Sequence, residues 1–278
     1  VLNTPAVLDR CAAVFGPCVL IADRSTPQRE ALTLEVEAGD GVRWIAKQVR
    51  RDKKYREELT AYRDWVPALG ASAPVLHSAH DDLRLLLLTR LPGEVVEGTA
   101  AERDPAVHRR VGELTRLLHD AAPPVLDEGF SVRLREKTAR YARRAAGLLS
   151  AAEIGFVTGR VAALTDGAVP VVPCHGDNLP RNWLLGPTGE VLLIDFGHAD
   201  RDHRASEAVK LWFRYWRADS GLADAFFDGY GLWPDELDRA VFTACAAHTS
   251  LSTVVWAREH DDTGFEAEAR GWLDDLRR

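Results

Sequence analysis

Apolar and polar positions change period along this chain, and the changes mark its elements. Residues 31–37 (ALTLEVE) alternate Leu32, Leu34 and Val36 with Thr33 and Glu35, the period of two that predicts a half-buried strand. Runs at 18–22 (CVLIA) and 42–49 (VRWIAKQV) predict its neighbours, and Gly39-Asp40-Gly41 supplies a hairpin turn between the second and third. Ahead of them, Thr4 reads as an N-cap and Pro5 as the first helical position of a short helix to about Phe15. Residues 54–69 switch to helical spacing, with Leu59, Tyr62, Trp65 and Val66 on one face. Two more strands follow, PVLHSA (74–79) and LRLLLLTR (83–90).

Leu91-Pro92-Gly93 breaks this pattern, and the texture then becomes helical. Asp104-Pro105 starts a helix carrying Val107, Val111, Leu114 and Leu118 on one face. A second helix, at about 132–149, has Leu134, Tyr141, Ala145 and Leu148 on one side and Arg133, Lys137, Arg140 and Arg144 on the other. Short strands interrupt near 173–198, and helices resume from about Ala205. The expected architecture is α+β and two-lobed. A small β-rich N-terminal lobe spans 1–90, and a larger, mainly helical lobe spans 91–278. A cleft between such lobes is a common place for a ligand.

Charge narrows the partners. Forty-two acids against thirty-five bases leave a net charge of −7 over 278 residues, which disfavours nucleic acid or an anionic membrane and suits cationic or neutral small molecules. Cys11, Cys18, Cys174 and Cys245 are far apart, without a CxxC or zinc spacing, and read as free thiols. No apolar run approaches the roughly 18–20 residues of a membrane span, and VLNTPAVLDR lacks the basic start and apolar core of a secretion signal. These features give the expectation of a cytoplasmic monomer or weak dimer.

The chemistry concentrates in residues 173–198, PCHGDNLPRNWLLGPTGEVLLIDFGH. Asp177 stands five residues before Asn182, and Pro180 keeps the span from being a regular helix, so a loop can aim both side chains at one point. The apolar run VLLI then reads as a buried strand ending on Asp195. Two carboxylates and an amide form an oxygen set that suits Mg²⁺ shared with substrate phosphates. Phosphoryl transfer needs such a metal and an acid that orients the attacking hydroxyl.

HGDNLPRN followed by LIDFG resembles the catalytic and metal loops of the aminoglycoside phosphotransferase (APH)-like kinases, relatives of the protein kinases. The resemblance implies a kinase-like fold with Asp177 as the catalytic acid, Asn182 and Asp195 as Mg²⁺ ligands, and His175 bracing the loop. It also implies a strand lysine for the phosphates and a helical glutamate to position it. Lys47, one of only five lysines, lies in the third predicted strand, and Glu57 and Glu58 follow on the helix, Glu58 with the better apolar spacing. Thr89 and Leu91 fall where the family's hinge meets the nucleotide base. Ser25 and Thr26 lie in ADRSTPQREA, the expected phosphate loop, which contains no glycine. The resemblance implies ATP or GTP as donor and a small hydroxylated molecule as acceptor, foremost an aminoglycoside, peptide or nucleoside antibiotic. A sugar, homoserine, choline or similar metabolic alcohol is the alternative, and a non-catalytic nucleotide-binding regulator is a more distant one.

Other residues invite other readings. Cys174-His175 has the types of a thiol nucleophile and its base, but neighbouring residues rarely face each other, so a buried strand end is expected. His175, His198 and His203 with Asp177 and Asp195 could be drawn as a two-metal hydrolase, which would leave Lys47 and the hinge unexplained. The arginine-rich face of the second helix reads as solvated surface. Acids at 259–268 are read as surface that could attract a cationic acceptor, and Trp212, Trp216 and Trp256 as core.

Overall fold

The computed structural model describes residues 2–26 and 30–278. The chain opens with helix α1 (Thr4–Phe15), strands β1 (Cys18–Asp23), β2 (Ala31–Ala38) and β3 (Arg43–Val49), and helix α2 (Asp52–Asp64). Strands β4 (Leu76–His80), β5 (Leu85–Thr89) and β6 (Glu94–Val95) and helix α3 (Pro105–His119) follow. Then come β7 (Val125–Asp127), α4 (Phe130–Arg144), α5 (Ala151–Ala162) and β8 (Val169–Cys174). The hairpin β9 (Trp183–Leu185) and β10 (Val191–Leu193) precedes β11 (Asp200–Asp202). Helices α6 (Ala208–Leu211), α7 (Ser220–Tyr230), α8 (Glu236–Glu259) and α9 (Thr263–Arg277) complete the chain.

Two compact units share this chain: Val1–Ala122 with Pro173–Asp200, and Pro123–Val172 with Arg201–Arg278. The first unit runs past residue 90, where the sequence suggested a boundary, to include α3, and it also holds the β9–β10 hairpin.

In the first unit an antiparallel sheet has the order β1-β2-β3-β5-β4 among the described residues. The Gly39–Gly41 turn forms as expected, with the Gly41 N–H donating to Ala38 O at 2.9 Å. Helix α1, capped one residue before Thr4 by Asn3, whose Oδ1 accepts from the Ala6 N–H, lays Val7 and Cys11 on Leu32, Leu34, Val36, Ala46, Leu85 and Leu87. Each large apolar side chain so buried is worth roughly 1.5–3 kcal/mol before chain entropy is counted. In register, Lys47 faces Thr33 on one side and Leu86 on the other. Alternation along a strand therefore turns Lys47, Thr33 and Glu35 to the face opposite α1.

That face is not the solvated one expected from the alternation in 31–37. Glu35 is buried beneath the guanidinium groups of Arg24 and Arg43, with Arg90 beside it. Burial alone would raise its pKa, but Arg24 above all holds the carboxyl below its ordinary range. The expected helix at 54–69 is also shorter: α2 ends at Asp64, because Pro67 cannot continue it, and a 3₁₀ segment covers Val66–Ser72. Leu59, Tyr62, Trp65 and Val66 are nevertheless all buried.

The second unit packs α4, α5, α8 and α9 around Val157, Val161, Leu251, Val254, Trp272 and Leu273. Helix α4 stops at Arg144 rather than near 149, and α5, absent from the sequence expectation, starts at a capping box in which Ser150 and Glu153 exchange hydrogen bonds. By length and composition α8 is apolar enough to cross a membrane, which the search for apolar runs did not single out. Most of its apolar window lies in this core.

Candidate active site

Lys47, Glu58, Asp177, Asn182 and Asp195 all belong to the first unit. Strand β3 turns Lys47 inward, and Glu58 sits on the buried side of α2. Lys47 Nζ donates to Glu58 Oε1 and to Asp195 Oδ1, each at 2.7 Å. Glu57, the other candidate, pairs with Lys53 and Lys54 on the surface of α2. Burial would lower the Lys47 pKa, but Asp195 and Glu58 more than offset it, so the lysine stays charged. One cation cannot satisfy both carboxylates. Burial pushes the Glu58 pKa upward, whereas Lys47 lowers that of the half-exposed Asp195 to about 2.

Asp195 follows β10 with φ +62°, a left-handed conformation that costs a non-glycine residue energy and turns its carboxylate away from the strand direction. Gly197 then passes so near that an added Cβ would lie 3.0 Å from Lys47 Nζ. Between them Phe196 is fully buried, with its ring against His175 (4.7 Å between centroids) and Tyr62 of α2 (5.5 Å).

The loop before β9 is built as tightly. Gly176, at φ +75°, passes His198 so closely that a Cβ would lie 2.2 Å from its carbonyl oxygen. His175 is buried, and its Nε2 lies 3.0 Å from Ile194 O, which braces the loop as expected. Asn178 donates to Thr115 Oγ1 on α3 at 2.8 Å and accepts from Trp183 Nε1 at 2.7 Å. Asp177, only 7% exposed, accepts from Asn182 Nδ2 at 2.9 Å and from Arg181, whose Nη2 reaches both carboxylate oxygens. The sequence reading passed over Arg181. Its signal was an arginine four residues after an acid, which pairs on a helix, and the 3₁₀ turn Pro180–Asn182 brings the two together here instead.

The same hairpin aligns the candidate metal ligands. Asn182 precedes β9, Asp195 follows β10 by one residue, and the Ile194 N–H donates to Asn182 O at 3.0 Å. Nδ2 of Asn182 donates to the backbone carbonyl and the carboxylate of Asp177, and its amide oxygen accepts no hydrogen bond among the described residues. Among the described residues, the hydrogen bonds to the Asp195 carboxylate fall on Oδ1. An amide oxygen and a carboxylate oxygen, as Asn182 and Asp195 carry, are hard donors of the type Mg²⁺ takes. No cluster of three His, Cys, Asp or Glu residues able to hold a metal occurs among the described residues.

The remaining candidates are less uniform. Ser25 Oγ accepts from the Thr33 N–H at 3.0 Å and so fastens the start of the loop to β2. Thr26 is exposed beside it, and the loop's next residues, 27–29, lie outside the described residues. Thr89 is committed to Val75, accepting its N–H at 2.8 Å through Oγ1. The backbone of Leu91 makes no hydrogen bond among the described residues. Beside it a cavity of about 610 Å³ is lined by Arg90, Pro92, Glu94, Val96 and Leu185, among others. Cys174 is a buried strand end near His119, with Sγ 3.7 Å from Nε2.

In the second unit, part of the basic face of α4 and several of the acids at 259–268 are paired. Arg144 binds Glu259, Arg133 binds Asp127, and Glu266, which is buried, lies between Arg258 and Arg270. Trp216 is core, and Trp256 is partly exposed and stacked on His260.

A strand lysine paired with a helical glutamate, joined to an acid after a short hairpin and set with a loop acid and amide, is the ground plan of a phosphotransferase. The chain belongs to the phosphotransferase enzyme (APH) family, whose profile matches residues 27–242. Solved structures share the fold. Macrolide 2'-phosphotransferase MphH from Brachybacterium faecium is 18% identical over 97% of each chain, with a TM-score of 0.66. The GDP complex of aminoglycoside 2'-phosphotransferase-IIIa is 14% identical over 99% of this chain and 98% of that one, with a TM-score of 0.66. A thermostable mutant of aminoglycoside phosphotransferase APH(4)-Ia, in a ternary complex with ADP and hygromycin B, is 14% identical over 98% of this chain and 97% of that one, with a TM-score of 0.69. Among curated proteins none matches.

Proposed function

We propose that this kinase transfers the γ-phosphate of ATP or GTP to a hydroxyl group of an antibiotic. The observation that carries the reading is Lys47 held between Glu58 and Asp195 in the same unit as Asp177 and Asn182. Asp177 orients the acceptor hydroxyl and takes its proton. Lys47, fixed by Glu58, meets the donor's α- and β-phosphates, and Ser25 and Thr26 offer hydroxyl donors to the phosphates. The backbone of Leu91, beside the 610 Å³ cavity, meets the base, and Thr89 holds that segment to the sheet. Asn182 and Asp195 would hold Mg²⁺, which when bound neutralises phosphate oxygens. The protein's part is position and fixed charge, without a covalent intermediate.

The acceptor class rests on the family and on structural neighbours named for macrolides and aminoglycosides, one of them solved with ADP and hygromycin B. The test is release of ADP or GDP in the presence of Mg²⁺ across macrolides, aminoglycosides, other hydroxylated antibiotics and metabolic alcohols. Asp177→Asn is the control. Antibiotic-dependent release that disappears in Asp177→Asn supports the reading. Release driven by a metabolic alcohol instead would overturn the acceptor, and turnover retained by Asp177→Asn would remove Asp177 from its role.

A further inference from the structure

Between Asp177 and Trp183, every side chain is buried except that of Arg181, which is 39% exposed. Its guanidinium holds Asp177 in three contacts: Nε to Oδ2 at 3.1 Å, and Nη2 to Oδ1 at 2.7 Å and to Oδ2 at 2.9 Å. Nη1 makes no hydrogen bond among the described residues.

We propose that Arg181 is a catalytic residue that contacts the phosphoryl group during transfer, a proposal that rests on the kinase reading above. An acceptor oxygen served by Asp177 must come within about 2.6–3.2 Å of its carboxylate, and the phosphorus it attacks lies about 3–3.5 Å beyond that oxygen. Arg181 grips the same carboxylate, so its outer nitrogen is within reach of the oxygens that carry charge in the transition state. Lys47 is already engaged by Glu58 and Asp195, whereas Arg181 is a cation at Asp177 itself. A planar guanidinium suits a phosphoryl group because it offers parallel donors. In the step itself, the acceptor O–H bond breaks and Asp177 takes the proton. The acceptor oxygen's electron pair forms the new bond to phosphorus. The bond from phosphorus to the bridging oxygen breaks, and its electron pair leaves with the nucleoside diphosphate. Arg181 stays charged throughout.

Arg181→Ala and Arg181→Lys are compared with wild type for melting temperature and for affinity toward Mg²⁺–ADP and Mg²⁺–GDP, with and without aluminium fluoride, which mimics the phosphoryl group in transfer. The expected result is unchanged diphosphate affinity in both variants. The fluoride-dependent gain in affinity falls about 100-fold in Arg181→Ala, is partly kept in Arg181→Lys, and is partly restored to Arg181→Ala by added guanidinium. A folded Arg181→Ala with the wild-type fluoride gain overturns the proposal, as does a wild type with no such gain. Wild type that binds neither diphosphate refutes the kinase reading itself.

Discussion

Lys47 Nζ lies 2.7 Å from Asp195 Oδ1, although the two residues are 148 positions apart in the chain. The contact ties β3 of the sheet to the residue just beyond β10, and the buried Glu58 holds the lysine from the other side. Lys47→Met is expected to lower turnover about 100-fold, because a charged hydrogen bond to phosphate is worth about 1.5–3 kcal/mol. It also leaves Glu58 without its cation, a loss that costs about 3–5 kcal/mol for a buried pair. Denaturant unfolding beside steady-state kinetics reads both effects. Wild-type stability in Lys47→Met would mean that Glu58 finds another partner.

Gly176 combines φ +75° with a carbonyl 2.2 Å from where a Cβ would stand. Gly176→Ala must therefore displace either the loop that carries Asp177 or the His198 backbone. Activity is expected to fall more than about 10-fold, and stability by about 1 kcal/mol or more. A kinetically normal Gly176→Ala would show that the loop has slack at this point.

Asp195 gives one acid limb of stability. Its folded pKa, lowered chiefly by Lys47 to about 2, lies below the ordinary carboxyl value near 3.9. The unfolded chain therefore binds the proton first, and the stabilisation present above about pH 4 is lost as pH falls toward 2. Asp195→Asn should flatten this limb in unfolding curves measured across that window. An unchanged limb would place the titration elsewhere.

His248 gives a second limb, in the other unit. Burial lowers its pKa to about 3, with Lys137 and Arg140 adding to the effect, and its Nδ1 lies 2.9 Å from Thr138 Oγ1. Its stabilisation is complete above the unfolded value near 6.5 and is lost at about 1.4 kcal/mol per pH unit below it. His248→Gln should remove most of the pH dependence between about 6 and 4 in thermal melts. Retention of the full slope would exonerate His248.

The residues that proved legible share one property: their local spacing and their tertiary surroundings agree. Leu32, Leu34 and Val36 alternate and meet α1, and Glu58 lies on the apolar spacing of α2 and reaches Lys47. Asp177, Asn182 and Asp195 stand out in the sequence by order and type as candidates, and the β9–β10 hairpin brings the segments of Asn182 and Asp195 side by side. Glu35 misled because alternation cannot reveal that three arginines, from different parts of the sheet, will cover it. Helix α5 was missed because the Gly155 and Gly159 positions dilute its helical signal. Arg181 was missed because a proline interrupts the spacing that would have paired it with Asp177.

The first unit is assembled from two stretches of chain, with fifty residues of the second unit between them. During synthesis from the N-terminus, the sheet, α1 and α2 can form early, but Lys47 must wait for Asp195 until more than two-thirds of the chain has emerged. The second unit has begun by then and waits in turn for α8 and α9. A nascent chain therefore exposes a half-built core from each unit at the same time, and a cut at residue 90 would release a sheet whose inward-facing lysine and glutamate lack their third partner.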